Sequence, residues 1–218
     1  MAKISALQVK ELRDSTGAPM GDCKKALIES EGDLNKAVEW LQKRTAAKVE
    51  KKAGRTAAEG LVQTYLHHDG RTGVLAEVNS ETDFVAKNED FRQFVSDLCM
   101  HIAAMSPTYV RREEVPAEVI AKQQEIAEAQ VRELGKPEHL VPRIAEGKVT
   151  AWFADHCLVD QPYVKDDKGR AVGAVLTELA GKIGEKLVIR RFVRFEVGEG
   201  IEKQTDDFAD EVARMAAN

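Results

Sequence analysis

Glu77-Val78-Asn79-Ser80-Glu81-Thr82-Asp83-Phe84-Val85-Ala86-Lys87 is the stretch on which the fold turns. It begins as a strand and ends as a helix start. Residues 73–78 are apolar and β-branched enough for a buried strand. Ser80 and Thr82 then offer side-chain oxygens to free backbone N–H groups, and Ser80 with Asp83 three residues later has the form of a capping box. A second helix start follows at Asn88, where Glu89 and Asp90 complement the positive end of the helix dipole. Phe91, Phe94, Val95, Leu98 and Ile102 then recur at helical spacing, so the buried face of that helix begins at Phe91. Phe84 is left among Thr82, Asp83, Lys87, Asn88 and Glu89, where a solvated turn is expected. Spacing leaves two readings of Phe84 open. It anchors the turn in the core, or it is an exposed aromatic aimed at a partner, as interface anchors on rigid turns are.

Upstream, residues 61–66 alternate, with Val62, Thr64 and Leu66 on one face, and His67-His68-Asp69-Gly70 supplies turn chemistry before the return strand. That makes a hairpin. Adjacent histidines on a strand point to opposite faces, so His67 and His68 read as turn-flanking residues rather than metal ligands. His101 reads as a satisfied, partly buried histidine.

Downstream, Pro116 opens a long helix carrying Val119, Ile120, Ile126, Ala127, Val131 and Leu134. Gly135-Lys136-Pro137 breaks it, and Leu140, Val141, Ile144, Val149, Trp152 and Phe153 begin a second. The pair predicts a projecting antiparallel hairpin at about residues 113–157. Residues 172–179 predict a further helix, ended by Gly181 and Gly184. Residues 187–197 are the clearest strand. Leu187, Ile189, Val193, Phe195 and Val197 share one parity, interrupted only by Arg191, and the strand is expected to join the hairpin as a third. Phe208, Val212 and Met215 predict a short amphipathic helix in a C-terminal module at 201–218.

The first 45 residues predict three short helices. Ser5 with Gln8 forms a capping box, flanked by Ile4 and Val9 as a hydrophobic staple. Thr16-Gly17-Ala18-Pro19 stops the first helix, Gly32 ends the second and Asp33 caps the third. Leu34, Ala37, Val38 and Leu41 form one buried stripe. Residues 46–56 predict a basic helical linker with Lys48, Lys51, Lys52 and Arg55, and the core follows at 57–200. The fold class expected is therefore α+β: a three-helix module, then a core with a small three-stranded antiparallel sheet packed by helices, and a protruding helical hairpin.

Composition narrows the function. The 218 residues are 32% charged and 43% hydrophobic, which suits a soluble globular chain, and the net charge of −5 disfavours a general nucleic-acid binder. Cys23, Cys99 and Cys157 are scattered and odd in number, as expected in a reducing cytoplasm, and lack metal-ligand spacing. The start, Met-Ala-Lys-Ile-Ser, has no apolar run of signal-peptide length, and no stretch reaches the roughly 20 apolar residues that span a bilayer. There is no phosphate loop, dinucleotide fingerprint or nucleophile elbow. No catalytic residues, metal or cofactor are expected.

Three motifs in order resemble one family closely. Residues 12–27, Leu-Arg-Asp-Ser-Thr-Gly-Ala-Pro-Met-Gly-Asp-Cys-Lys-Lys-Ala-Leu, look like the first signature of bacterial translation elongation factor Ts, and residues 77–87 look like its second. Residues 194–203, Arg-Phe-Glu-Val-Gly-Glu-Gly-Ile-Glu-Lys, are also typical. The resemblance covers essentially the whole chain. It implies a ubiquitin-associated-like N-terminal module and guanine nucleotide exchange on elongation factor Tu, in its GDP-bound and nucleotide-free forms, without covalent chemistry. It implies that Thr82, Asp83, Phe84 and Val85 wedge into Tu's nucleotide domain and disturb the Mg²⁺ site, and that Leu12, Arg13 and Met20 dock the N-terminal module. On that basis Phe84 is expected to be exposed. Longer members carry a second core subdomain for which this chain has too few residues. This short form implies a homodimer, with no membrane and no direct nucleic-acid partner. Two other readings remain: a ubiquitin-associated-type interaction protein resting on residues 1–45, and a helical RNA binder using residues 48–55.

Overall fold

The computed structural model describes residues 4–201. Helix α1 (Ala6–Thr16) starts at the Ser5–Gln8 capping box and ends at Gly17. Helices α2 (Met20–Glu29) and α3 (Leu34–Glu50) follow, the latter capped by the Asp33 carboxylate on Lys36 N–H. Val9, Leu12, Cys23, Ala26, Leu27, Ala37 and Leu41 close a small core, with Ile4, Leu34 and Val38 packed around it. Helix α3 runs past residue 45 to Glu50, so half of the basic stretch belongs to the third helix.

Strands β1 (Glu59–Leu66), β2 (Thr72–Ser80) and β3 (Val188–Glu196) form an antiparallel sheet in the order β1-β2-β3. One turn of helix, α4 (Asp83–Ala86), separates β2 from α5 (Glu89–Met105). Asn88 caps α5 on Phe91 N–H, as its position suggested. The α5 face Phe91, Phe94, Val95, Leu98 and Ile102 packs on Val74, Ala76 and Val78 of β2. Each such fully buried side chain contributes about 1.5–3 kcal/mol.

The projecting hairpin is α6 (Ala117–Glu133) and α7 (Val141–His156), joined about Ala127, Ala145, Val149 and Phe153. The His156 carbonyl, accepting Thr108 and Tyr109 N–H, and a two-pronged Arg112–Asp160 pair fix its base. Helix α8 (Val172–Ile183) lies between α3 and the core. Gly181 does not end it. Thr45 of α3 approaches so closely there that a Cβ would overlap its methyl, so the glycine is a packing requirement. Gly184, at φ 85°, is the stop. His67 and His68 flank the β1–β2 turn, and because the chain has left the strand their rings meet at 4.3 Å rather than pointing apart. His101 is fully buried, with Nε2 3.0 Å from Gln161 Oε1 and Nδ1 accepting Val164 N–H, and burial pushes its pKa down.

The expectation of one buried parity along the third strand is overturned. A bulge opposite Glu77 and Val78 inserts one residue into β3, so Glu77 faces Arg191 while Val78 faces Ile189. Ile189 is buried, but beyond the bulge Phe192 and Arg194 turn inward and Val193 and Phe195 turn out. Arg194 spends its inward position donating to the Ala103 carbonyl. The outer face of the sheet therefore carries Val62, Leu66, Leu75, Val193 and Phe195, exposed by 39–70%. The expected helix at Phe208, Val212 and Met215 lies outside the described residues.

Candidate functional site

The turn after β2 is held by groups far away in sequence. Thr82 sits in extended geometry at the N-cap of α4, but its hydroxyl does not cap the helix. The hydroxyl donates to Glu185 Oε1 at 2.7 Å, and its N–H donates to Glu185 Oε2 at 3.0 Å. Ser80 does not form the expected capping box either: its hydroxyl donates to the Thr82 carbonyl at 2.9 Å. Glu81 accepts Lys186 N–H at 2.6 Å and Arg55 Nη1 at 2.9 Å, and these donors hold its carboxyl below the usual carboxylate range.

Four candidate residues share this turn and divide by exposure. Val85 is buried in the core cluster and pins the turn from within. Thr82 is half-buried by its Glu185 bonds. Asp83 is exposed and pairs with Lys87 at 2.9 Å, which lowers its pKa. Phe84 is 77% exposed, with only the Lys87 ammonium near its ring, 5.6 Å from the centroid. The core-anchor reading of Phe84 fails because α4 directs Val85 inward, leaving its neighbour outside. An exposed Phe forgoes about 1.5–3 kcal/mol of burial that a partner can recover.

The other three candidates belong to the N-terminal module and do not behave alike. Leu12 is only 1% exposed and packs inside the three-helix core. Arg13 and Met20 flank the α1–α2 turn and are exposed, Met20 by 53%. Leu7 and Ile28 are exposed on the same module.

Sequence reading missed Glu81, Glu185, Lys186 and Arg55 as parts of this site. Thr82 and Glu185 are 103 residues apart, and no local pattern connects them. The basic stretch is largely occupied within the fold. Arg44 and Lys48 pair with Asp22, Lys52 donates to the Gly184 carbonyl, and Arg55 pairs with Glu81. The three-helix module is no independent attachment either, since α3 packs on α8. Among the described residues no group of three or more His, Cys, Asp or Glu is placed to hold a metal ion, and no helix is long and apolar enough to cross a membrane. Burial pushes the Cys99 and Cys157 thiols up to about 11, so they stay protonated at neutral pH.

The fold thus presents an exposed aromatic on a clamped turn and a helical module with apolar side chains of its own in solvent. A family model described as "Elongation factor TS" matches residues 8–199. The chain is 55% identical over 213 residues to elongation factor Ts of Desulforamulus reducens, covering 98% of each chain. It is 53% identical over 213 residues to that of Geobacter sulfurreducens, again covering 98% of each. It is 54% identical over 216 residues to that of Anaeromyxobacter dehalogenans, covering 99% of this chain and 98% of the relative. The chain belongs to the elongation factor Ts family, whose place is in translation elongation.

Proposed function

We propose that this protein promotes GDP release from elongation factor Tu by seating Phe84 against Tu's nucleotide domain, where it disturbs the Mg²⁺ site. The exposure of Phe84 on a turn whose neighbours are all engaged carries this reading. The physics is linkage. A factor that binds nucleotide-free Tu more tightly than Tu·GDP weakens GDP by the same ratio. Each tenfold of coupling is about 1.4 kcal/mol. One buried aromatic on a partner supplies that amount, provided its pocket exists only in the conformation that GDP disfavours. Thr82 orients the turn, Asp83 offers an exposed carboxylate beside Phe84, and Val85 anchors the turn from below. Arg13 and Met20 provide a second contact through the N-terminal module. The direct test is release of fluorescent GDP from purified Tu, with the parent protein and with Phe84→Ala.

The working unit we propose is a homodimer. Val62, Leu66, Leu75, Val193 and Phe195 lie on one face of the sheet and are open to solvent. Apolar patches of this kind on soluble proteins mark interaction surfaces. A second copy presents a self-complementary match, as two-fold interfaces require.

A further inference from the structure

Residues 81–82 and 185–186 form a reciprocal pair of acceptors and donors. Glu185 takes both the N–H and the hydroxyl of Thr82, and Glu81 takes the N–H of Lys186. Lys186 Nζ in turn donates to the Ala53 and Arg55 carbonyls at 2.6 and 2.7 Å, and Arg55 returns to Glu81. The linker from α3, the turn before α4 and the turn before β3 are thereby knotted at one point. Among the described residues no other hydrogen bond of comparable reach ends on this side of α4. A single helical turn is marginal in isolation. Its cap Thr82 makes no cap bond of its own, and Val85 fixes only its inner side.

We propose that Glu185, supported by Glu81, is a positioning residue for nucleotide exchange: it fixes Thr82 and so sets the direction in which Phe84 projects. Charge-assisted bonds to a carboxylate are roughly twice as strong as neutral ones, and two of them on one residue remove its rotational freedom. Glu185 touches neither partner nor nucleotide in this role and acts only through Phe84. The role rests on the reading of Phe84 given above.

A double-mutant cycle on the full chain tests it, with GDP release from Tu measured across factor concentration. Glu185→Ala is expected to lower the maximal rate by about tenfold while the concentration for half-maximal rate moves less, because docking through Arg13 and Met20 persists. Glu185→Gln restores most of the rate, since its amide oxygen can accept Thr82 N–H while the hydroxyl turns to accept from the amide. Adding Glu185→Ala to Phe84→Ala is expected to produce no further loss, because positioning an absent ring has no effect. The urea midpoint of each variant reports folding. Should Glu185→Ala not fold, Thr82→Val removes one of the two bonds and is expected to give a partial loss with the same non-additivity. A parental rate from Glu185→Ala beside a severe loss from Phe84→Ala overturns the positioning role alone. So do losses that multiply in the double variant. A parental rate from Phe84→Ala overturns the wedge, and the positioning role with it.

Discussion

Truncating Phe84 to alanine separates stability from function more sharply than any other single change in this chain. A fully buried Phe truncated to Ala destabilises by about 3–5 kcal/mol. Phe84 is 77% exposed, so the burial lost from folding is about 1 kcal/mol, and with the exposed Lys87 cation–π contact the total is no more than about 2 kcal/mol. With a urea slope of about 2 kcal/mol/M, the midpoint falls by no more than about 1 M. On the partner the sign is reversed. Loss of an aromatic anchor at an interface centre costs about 2–4 kcal/mol, equivalent to a fall in catalysed GDP release of roughly 30- to 1000-fold. Val85→Ala is the internal control. Its side chain is buried, so the midpoint drops while exchange per folded molecule falls less than in Phe84→Ala. The assay is a urea titration and a fluorescent-GDP release trace on the same preparation. A midpoint lowered by more than about 1.5 M with normal exchange, for Phe84→Ala, refutes the exposure argument and leaves exchange without its wedge.

Arg13→Ala is expected to weaken Tu binding by several-fold in a titration, with an unchanged melting temperature; a large drop in melting temperature with unaltered binding per folded molecule makes Arg13 structural instead. Light scattering at micromolar concentration is expected to give about 48 kDa, twice the 24.1 kDa of the chain, and Phe195→Asp to return it to the monomer mass; an unchanged mass for that variant removes the sheet face from the interface. The Arg190 and Arg191 guanidiniums hold Glu77 at about 2, far below its value in an unfolded chain near 4.5. A depressed carboxylate pKa contributes stability that is complete above about pH 4.5 and is lost as pH falls toward 2. Glu77→Gln is therefore expected to flatten the acid limb of a stability–pH curve across that window and leave the neutral-to-alkaline side with the same slope; an acid limb as steep as the parent's removes Glu77 from the cause.

Local chemistry was legible at several helix ends, where donor and acceptor lie within a few residues, but not at Ser80 and Thr82, whose hydroxyls bond the Thr82 carbonyl and Glu185 instead. Ser5, Asp33 and Asn88 cap the helices they precede, and Gly17 and Gly184 end the ones they follow, because each completes a bond inside a single turn. The α5 core face was equally plain from its period. The faces of β3 were not. Alternation predicts which side chains share a face only while the ladder is regular, and one extra residue at Arg190 and Arg191 reverses it. At the site, the motif brought Thr82, Asp83, Phe84 and Val85 together, yet which of them face out depends on how one helical turn sits on the core. Leu12, Arg13 and Met20 divide by helix rotation: Leu12 turns into the module's core while Arg13 and Met20 turn out. The Glu81–Glu185 exchange was invisible because both residues are ordinary surface acids in their own surroundings.

The 103 residues between Thr82 and Glu185 also set a timetable. As the chain emerges during synthesis, β1, β2, α4 and α5 can meet while Glu185 and β3 are still unmade. Closing a loop of that length, rather than one of about ten residues, costs roughly 2 kcal/mol more in chain entropy, so the carboxylate reaches Thr82 only after α8 and β3 have docked. The hairpin 117–156 lies wholly inside that loop, and the packing of α6 on α7 shortens the effective span. A nascent or truncated chain ending before Glu185 thus carries Phe84 on a turn that lacks its Glu185 and Lys186 bonds and is held by Val85 from below. Protection of the Thr82 amide from hydrogen exchange is therefore a late marker of folding, arriving with the last strand rather than with the strand it follows.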